Sequence, residues 1–331
     1  MQKLGIVVIG AGWMGELHAL AFAQSPHCQV IAVADIDQGK AERVAAQVGA
    51  TVFSDYHQAL DQPGVAIVSV CTPDHLHLDP VLAAVKRGQH VLVEKPLTSN
   101  SAEARQLLEA VAYSGVKFMV GHLLRFDPRF ILAKQAIEKG EIGEVVHFYA
   151  RRNDWLRQGQ SRGAYTNPVF FLGVHDIDIV RWLAGSEVEQ VYAQAPVKAL
   201  AKVGTMDCVL SLVRFKSGAC ACLEFSWILP PTMGRPDATM EIVGTKGAIF
   251  IDAYQGGLRL HTDRDWKIHD TMYAPQVGAR VGGDLRDEID NFVQAVLEDK
   301  EPAISGQEGL VAVQIAEAII ESCRTGQVVG L

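Results

Sequence analysis

The chain opens with an unbroken apolar, β-branched run, Leu4-Gly5-Ile6-Val7-Val8-Ile9, and comparable runs return at 29–34, 65–70, 90–93 and 117–120. Continuous rather than alternating hydrophobicity marks strands buried on both faces, as in a parallel sheet covered by helices. Between the runs, helical periodicity fills Ala41–Val48, Leu76–Arg87 and Ala102–Tyr113, and Gly49, Gly88 and Gly115 stand where those helices should stop. Strand and helix alternating through short turns predict a doubly wound α/β fold for residues 1–121. From about residue 122 the texture changes. A helix is predicted near 128–139, a strand near 143–152, then a polar loop and an amphipathic helix near 170–184. Strand patterns follow at 187–194, 205–215, 218–228, 238–243, 247–252 and 257–261, with turn chemistry at Phe215–Ala219 and Gly244–Gly247. Helices near 284–298 and 306–324 close the chain. Residues 122–331 are therefore expected to form a second α/β domain on a large, mostly antiparallel sheet, since 331 residues exceed the usual size of one core.

The first strand runs directly into Gly10-Ala11-Gly12-Trp13-Met14-Gly15, and a helical pattern follows. A G-x-G-x-x-G turn between strand and helix is the context that makes this glycine motif a dinucleotide-binding one. Gly10 suits the tight turn, Gly12 the approach of a pyrophosphate, and Gly15 close helix–strand packing, while the helix N-terminus offers N–H groups to the phosphates. Asp35 ends the second apolar run, twenty residues past Gly15, where a carboxylate can accept from a ribose diol and repel a 2′-phosphate. Asp37 adds negative charge and no Arg or Ser stands beside it, so NAD is expected in preference to NADP.

Two further strand ends carry polar chemistry. Cys71-Thr72-Pro73-Asp74-His75-Leu76-His77 leaves the third run extended, because Pro73 bars the helical region to Thr72. Such strand ends are where open α/β sheets bind ligands, although Asp74 serves equally well as a helix cap. His75 and His77 read as packing and solvent-facing groups, since their spacing fits no zinc pattern. Val91-Leu92-Val93-Glu94-Lys95-Pro96 places Glu94 and Lys95 where both can project toward the cofactor. The bland alternative is a solvated ion pair. Farther on, His175, Asp178 and Trp182 share one helix face in Phe170–Leu183, where His175 is either a proton shuttle or a satisfied structural histidine. His-Asp-x-Asp also invites a metal reading, but no third cluster has partner spacing, so no metal is expected.

Composition narrows the function classes. A net charge of −8 gives no support to nucleic-acid or anionic-membrane binding, and no apolar run approaches the ~18 residues that span a bilayer. The first strand begins at Leu4, leaving no room for a signal peptide, and the six cysteines contain no C-x-x-C pair. A cytoplasmic protein with reduced thiols is expected.

These stretches in this order, with Gly121-His122-Leu123-Leu124-Arg125-Phe126-Asp127-Pro128 between the second and third, resemble the glucose–fructose oxidoreductase/inositol dehydrogenase/MocA family. The likeness covers essentially the whole chain and includes Asp287–Phe292, Gly306–Gly309 and Ser322. It implies a Rossmann domain followed by an α/β domain whose open sheet makes a homodimer or homotetramer. It also implies NAD-dependent oxidation or reduction of a secondary alcohol of a sugar, cyclitol or related polyol.

By position, Lys95 of Glu94-Lys95-Pro96 would contact the reacting hydroxyl, and His175 would be its partner in proton transfer. The cofactor would meet Gly10, Gly12, Trp13, Met14, Gly15, Asp35, Cys71, Thr72, Pro73, His75, Glu94 and Lys95. The substrate would meet Lys95, His122, Arg125, Asn153, Trp155, Phe171 and His175, and the polar, aromatic loop 153–167 suits carbohydrate.

One departure stands out. Many family members carry Asp four residues before the helix histidine, and here that position is Phe171. Either Lys95 and His175 suffice, or Asp176, Asp178 or a substrate group substitutes. The alternatives are a redox-assisted glycosidase that accumulates no NADH, and a catalytically silent NAD- or sugar-binding regulator.

Overall fold

The computed structural model describes residues 3–233, 236–253, 258–261, 266–278 and 280–331. They fall into two compact units, Met1–Phe126 with Met272–Leu310, and Asp127–Thr271 with Val311–Leu331. The segment Met272–Leu310, which carries a late helix, packs with the first unit.

The first unit runs β1 (Leu4–Ile9), α1 (Trp13–Gln24), β2 (Cys28–Ala34), α2 (Gln38–Val48), β3 (Thr51–Phe53), α3 (Tyr56–Leu60), β4 (Val65–Val70), α4 (Leu78–Lys86), β5 (His90–Glu94), α5 (Ser101–Ala112) and β6 (Phe118–Gly121). Its six strands lie in the order β3-β2-β1-β4-β5-β6, all parallel, which is the doubly wound order with its reversal between β1 and β4. The apolar runs are buried on both faces, with Ile6, Val7, Val8, Ile67, Val68, Val91, Leu92 and Val93 all fully shielded. Helix starts follow local chemistry: Asp37 caps α2 by accepting from Lys40 N–H, and Asn100 caps α5 by accepting from Glu103 N–H. Asp37 is thus a cap as well as a negative charge near Asp35. The short β3 and α3 escaped the periodicity because neither is long enough to display one.

The second unit contains α6 (Pro128–Glu138), β7 (Val145–Trp155), α7 (Leu156–Arg162), a π-helical segment (Val169–Gly173), α8 (Val174–Ala184), β8 (Val188–Gln194), β9 (Cys208–Phe215), β10 (Cys220–Leu229), β11 (Asp237–Gly244) and β12 (Ala248–Asp252). A small ladder follows, β13 (Leu258–His261) with β14 (Trp266–His269). The chain then adds β15 (Gln276–Val277), paired with β16 (Arg280–Val281), and α9 (Gly283–Leu297) to the first unit, and continues through α10 (Gly306–Thr325) to β17 (Val329–Gly330) in the second. Residue 257, expected to start the last predicted strand, lies outside the described residues.

The large sheet has the order β12-β11-β7-β10-β9-β8-β17 and is antiparallel except for the β7–β10 pair. Register gives it two unlike faces. Ile249, Ile242, Phe148, Ala221, Val213 and Val191 form one cross-strand row on the packed side, where α8 lies against β7. Phe250, Glu241, Tyr149, Cys222, Leu212 and Tyr192 form the next row, on the opposite and open face.

The expected loop 153–167 is largely structured: β7 extends to Trp155 and α7 follows at once. Leu156-Arg157-Gln158-Gly159-Gln160-Ser161-Arg162 shows no helical hydrophobic stripe, so periodicity could not announce it. The helix close-packs by another route, since a Cβ on Gly159 would strike Leu200 at 2.5 Å. Trp227, fully buried with Leu172 and Leu200, anchors this corner. Trp227→Ala is expected to cost about 3–5 kcal/mol, read as a lower denaturant midpoint; an unchanged midpoint would contradict that packing.

Candidate active site

Parallel register brings the three polar strand ends together. Ile9 pairs with Val70, Val70 with Val93, and Val93 with Val120, so Gly10, Cys71, Glu94 and Gly121 emerge side by side at the carboxyl end of the sheet. The glycine turn is built by contact. Gly10 has φ +94° and a Cβ there would lie 2.7 Å from the Cys71 main chain, and a Cβ on Gly15 would fall 1.7 Å from Gly10 O. A Cβ on Gly12 would instead meet nothing within 4 Å. No side chain caps α1 at Gly12. Open space beside helix N–H groups is the cradle a pyrophosphate requires.

Asp35 ties this turn to β2. Its Oδ2 accepts from Ala11 N–H at 2.6 Å and its Oδ1 from Asp37 N–H at 2.8 Å, leaving further lone pairs for a ribose diol. These residues fit a dinucleotide. Trp13, 64% exposed, stacks on Tyr273 at 6.0 Å, and Met14 lies beside the Tyr273 hydroxyl. Tyr273 was not anticipated, because nothing in its local sequence ties it to the glycine turn.

At the second strand end, Cys71 Sγ lies 3.5 Å from Ser69 Oγ, and Thr72 Oγ1 donates to Leu76 O. Pro73 precedes a short 3-10 turn, and His75 stands at the surface beside Asp74. His77 is buried, with Nδ1 2.9 Å from Pro96 O and Nε2 2.8 Å from Thr72 O. It fastens the second strand end to the third, rather than facing solvent.

Lys95 follows β5 half-buried, ahead of a cis Lys95–Pro96 bond. Glu94 corrects an expectation. Its side chain turns into the core instead of toward the cofactor, with Oε2 accepting from Lys95 N–H at 3.2 Å and Oε1 accepting from His18 Nε2 at 3.1 Å. A carboxylate in that apolar setting requires a donor, and fully buried His18 supplies it. Burial opposes charge on Glu94, but His18, Lys95 and His77 outweigh it and hold the carboxyl below its usual range. Burial likewise works against protonated His18, but Cys71 and Glu94 raise it well above the ordinary imidazole value. His18 Nδ1 completes the chain 2.8 Å from Ser69 Oγ.

His18 and Glu288 were missed by sequence reading. Their signal was a polar residue set inside an apolar helix stripe: Glu288 stands among buried Leu285, Ile289, Phe292 and Val293 of α9. His122 is buried, and Arg125 is committed to an ion pair with Glu308.

The second unit gathers a separate set. Asn153 donates from Nδ2 to Glu224 Oε1 at 2.6 Å, while its buried Oδ1 meets no partner among the described residues. Arg157 stacks over Trp155 at 4.6 Å. Burial raises the Asp154 carboxyl above its ordinary value, in spite of a hydrogen bond from Trp155 N–H.

His175 lies buried in the first turn of α8, and Phe171 sits in the preceding π-helical segment. The wider π turn, of a kind frequent at functional sites, begins where Asn167 Oδ1 accepts from Val169 and Phe170 N–H. Phe171 packs on Trp227 at 5.6 Å, with the Arg162 guanidinium 5.0 Å over its ring. Asp176, one of the expected substitutes, gives both oxygens to Arg152, at 2.8 and 3.0 Å, in a buried bidentate pair. Among the described residues, His18, Glu94 and Glu288 bring potential ligand atoms within 4.8 Å of one another.

Residues 4–122 match a family described as "Oxidoreductase family, NAD-binding Rossmann fold", and residues 134–331 match its C-terminal alpha/beta domain. The chain is 30% identical to the scyllo-inositol 2-dehydrogenase (NAD(+)) of Bacillus subtilis, over 100% of this chain and 97% of that one. It is also 30% identical to the inositol 2-dehydrogenase of Rubrobacter xylanophilus, over 98% and 92%. Among solved structures, GenD2 from gentamicin A biosynthesis, in complex with NAD, aligns with a TM-score of 0.87 at 27% identity, covering 100% of this chain and 97% of that one. With both of its halves matched and its glycine turn open for a dinucleotide, the chain belongs to the glucose–fructose oxidoreductase/inositol dehydrogenase/MocA family of oxidoreductases.

Proposed function

We propose that this protein oxidises a secondary alcohol of a sugar, cyclitol or related polyol, with NAD as hydride acceptor. The observation that carries the reading is Lys95 at the end of β5, in register beside the open Gly10–Gly15 turn. NAD, when bound, supplies an acceptor for the hydride leaving the alcohol carbon. Lys95 holds the hydroxyl oxygen through its ammonium group, and His175 takes the proton lost as the C–O bond becomes a carbonyl. Phe171 cannot relay a proton, and Asp176 is committed to Arg152. This reading gives proton transfer to Lys95 and His175, with no part for Phe171 or Asp176. Asn153 and Trp155 supply polar and aromatic recognition of the polyol.

The Asp35 carboxylate supports NAD over NADP, because a 2′-phosphate would meet its negative charge. The open face of the large sheet, with Phe250, Tyr149, Leu212 and Tyr192 in one row, supports a homo-oligomer formed through that sheet. No helix among the described residues is long and apolar enough to cross a membrane, and all six cysteines are free thiols. A reducing, cytoplasmic setting fits both observations.

A panel of myo-inositol, scyllo-inositol and related polyols with NAD, followed by NADH appearance, tests the reading directly. Lys95→Ala is expected to lower kcat by about 10²–10⁴-fold while NAD affinity, measured by calorimetry, stays near that of the parent. Retained kcat would remove Lys95 from the reaction. Asp35→Ala should erase the preference for NAD, bringing kcat/KM for NADP to within about tenfold of that for NAD. A preference as strong as before would show that discrimination lies elsewhere.

A further inference from the structure

The reaction makes no direct use of Glu288, although it is among the most completely enclosed ionisable groups in the first unit. It is 0% exposed, and neither carboxyl oxygen meets a hydrogen-bond partner among the described residues. The groups facing it are His18 from α1, Glu94 from β5 and Asp284 one turn earlier on its own helix. Lys95 and His77 also act on Glu94, and Cys71 acts on His18.

Two carboxylates sharing one imidazolium in an apolar interior cannot both stay charged at low cost, so one of them keeps a proton. The hydrogen bonds decide which. Glu94 accepts from His18 and from Lys95 N–H, whereas Glu288 accepts from nothing.

We propose that Glu288 is a positioning residue, an uncharged acid packed behind Glu94 that leaves Glu94 as the sole anion paired with His18, so that Glu94 holds the Lys95 main chain at the sheet end. The absent side chain at Gly121 belongs to the same arrangement, because a Cβ there would lie 3.2 Å from Glu94 Oε1 and crowd it. Burial and the adjacent Glu94 charge both raise Glu288 well above the ordinary carboxyl value. The proposal rests on the dehydrogenase reading only where it concerns turnover.

The sign of the pH dependence follows from the retained proton. The folded protein keeps a proton on Glu288 that the unfolded chain releases above its ordinary value of 4.5, so this group's contribution to stability falls as pH rises from there toward its folded value. Glu288→Gln, uncharged and of the same shape, removes that penalty. Its melting temperature should exceed the parent's by a margin that widens from about pH 5 to about pH 8. A margin that stays flat or turns negative would overturn the proposal. So would a Zn²⁺-dependent rise in the parent's melting temperature that Glu288→Gln abolishes, since that identifies a cation site.

In turnover, Glu288→Ala should lower kcat by about tenfold or more with KM for NAD little changed, and Glu288→Gln should restore kcat to within about threefold. Gln as damaging as Ala would show that the charge itself is used. Should the unaltered protein oxidise no polyol, the dehydrogenase reading fails, while the melting series still decides the state of Glu288.

Discussion

An ionised carboxylate inside an apolar core must be given donors, and Glu94 is where this protein meets that constraint. Lys95 follows β5 directly, and the strand is buried from Val91 to Glu94, the residue just before it. His18 answers from α1, one turn past Gly15, so the helix that begins at the cofactor cradle also neutralises the charge beneath the lysine. The glycine motif and the Glu-Lys-Pro motif are thereby joined by one hydrogen bond through the core. His77 performs a comparable service at the rim, where its ring spans the second and third strand ends.

Much of the first unit was legible in the sequence because a parallel sheet writes itself as separate apolar runs with helical periods between them. The doubly wound parallel sheet, the glycine turn and Asp35 followed from that text. Glu94 was misdirected for an instructive reason. A sequence shows that a charged residue stands at a strand end, but which way it points depends on whether a distant helix offers it a partner. His18 and Glu288 supply that partner and that neighbour from 76 residues before and 194 after, as 94 − 18 and 288 − 94 show, and no local pattern links them. Asp37 and Asn100 cap helices through partners within three residues, although neither was read as a cap.

The second unit was legible as a strand-rich, mostly antiparallel sheet, but less so in its irregular parts. The helix after Trp155 and the π turn before His175 are held by Gly159 against Leu200 and by Asn167 capping, contacts between segments rather than periodicities within one. Phe171 belongs to this corner. Its ring packs on Trp227, and Asp176, on the helix that follows, is paired with Arg152. The departure noticed in the sequence is thus built into the packing of this corner.

The central claim is that a carbon-bound hydrogen of a polyol leaves as hydride to NAD. Its most direct measurement uses an inositol deuterated at its alcohol carbons, with the cofactor recovered after turnover and weighed by mass spectrometry. Hydride transfer predicts reduced cofactor heavier by a single deuterium, with slower turnover than for the undeuterated polyol. Cofactor recovered without deuterium, while the polyol is converted or bound, would contradict the dehydrogenase assignment.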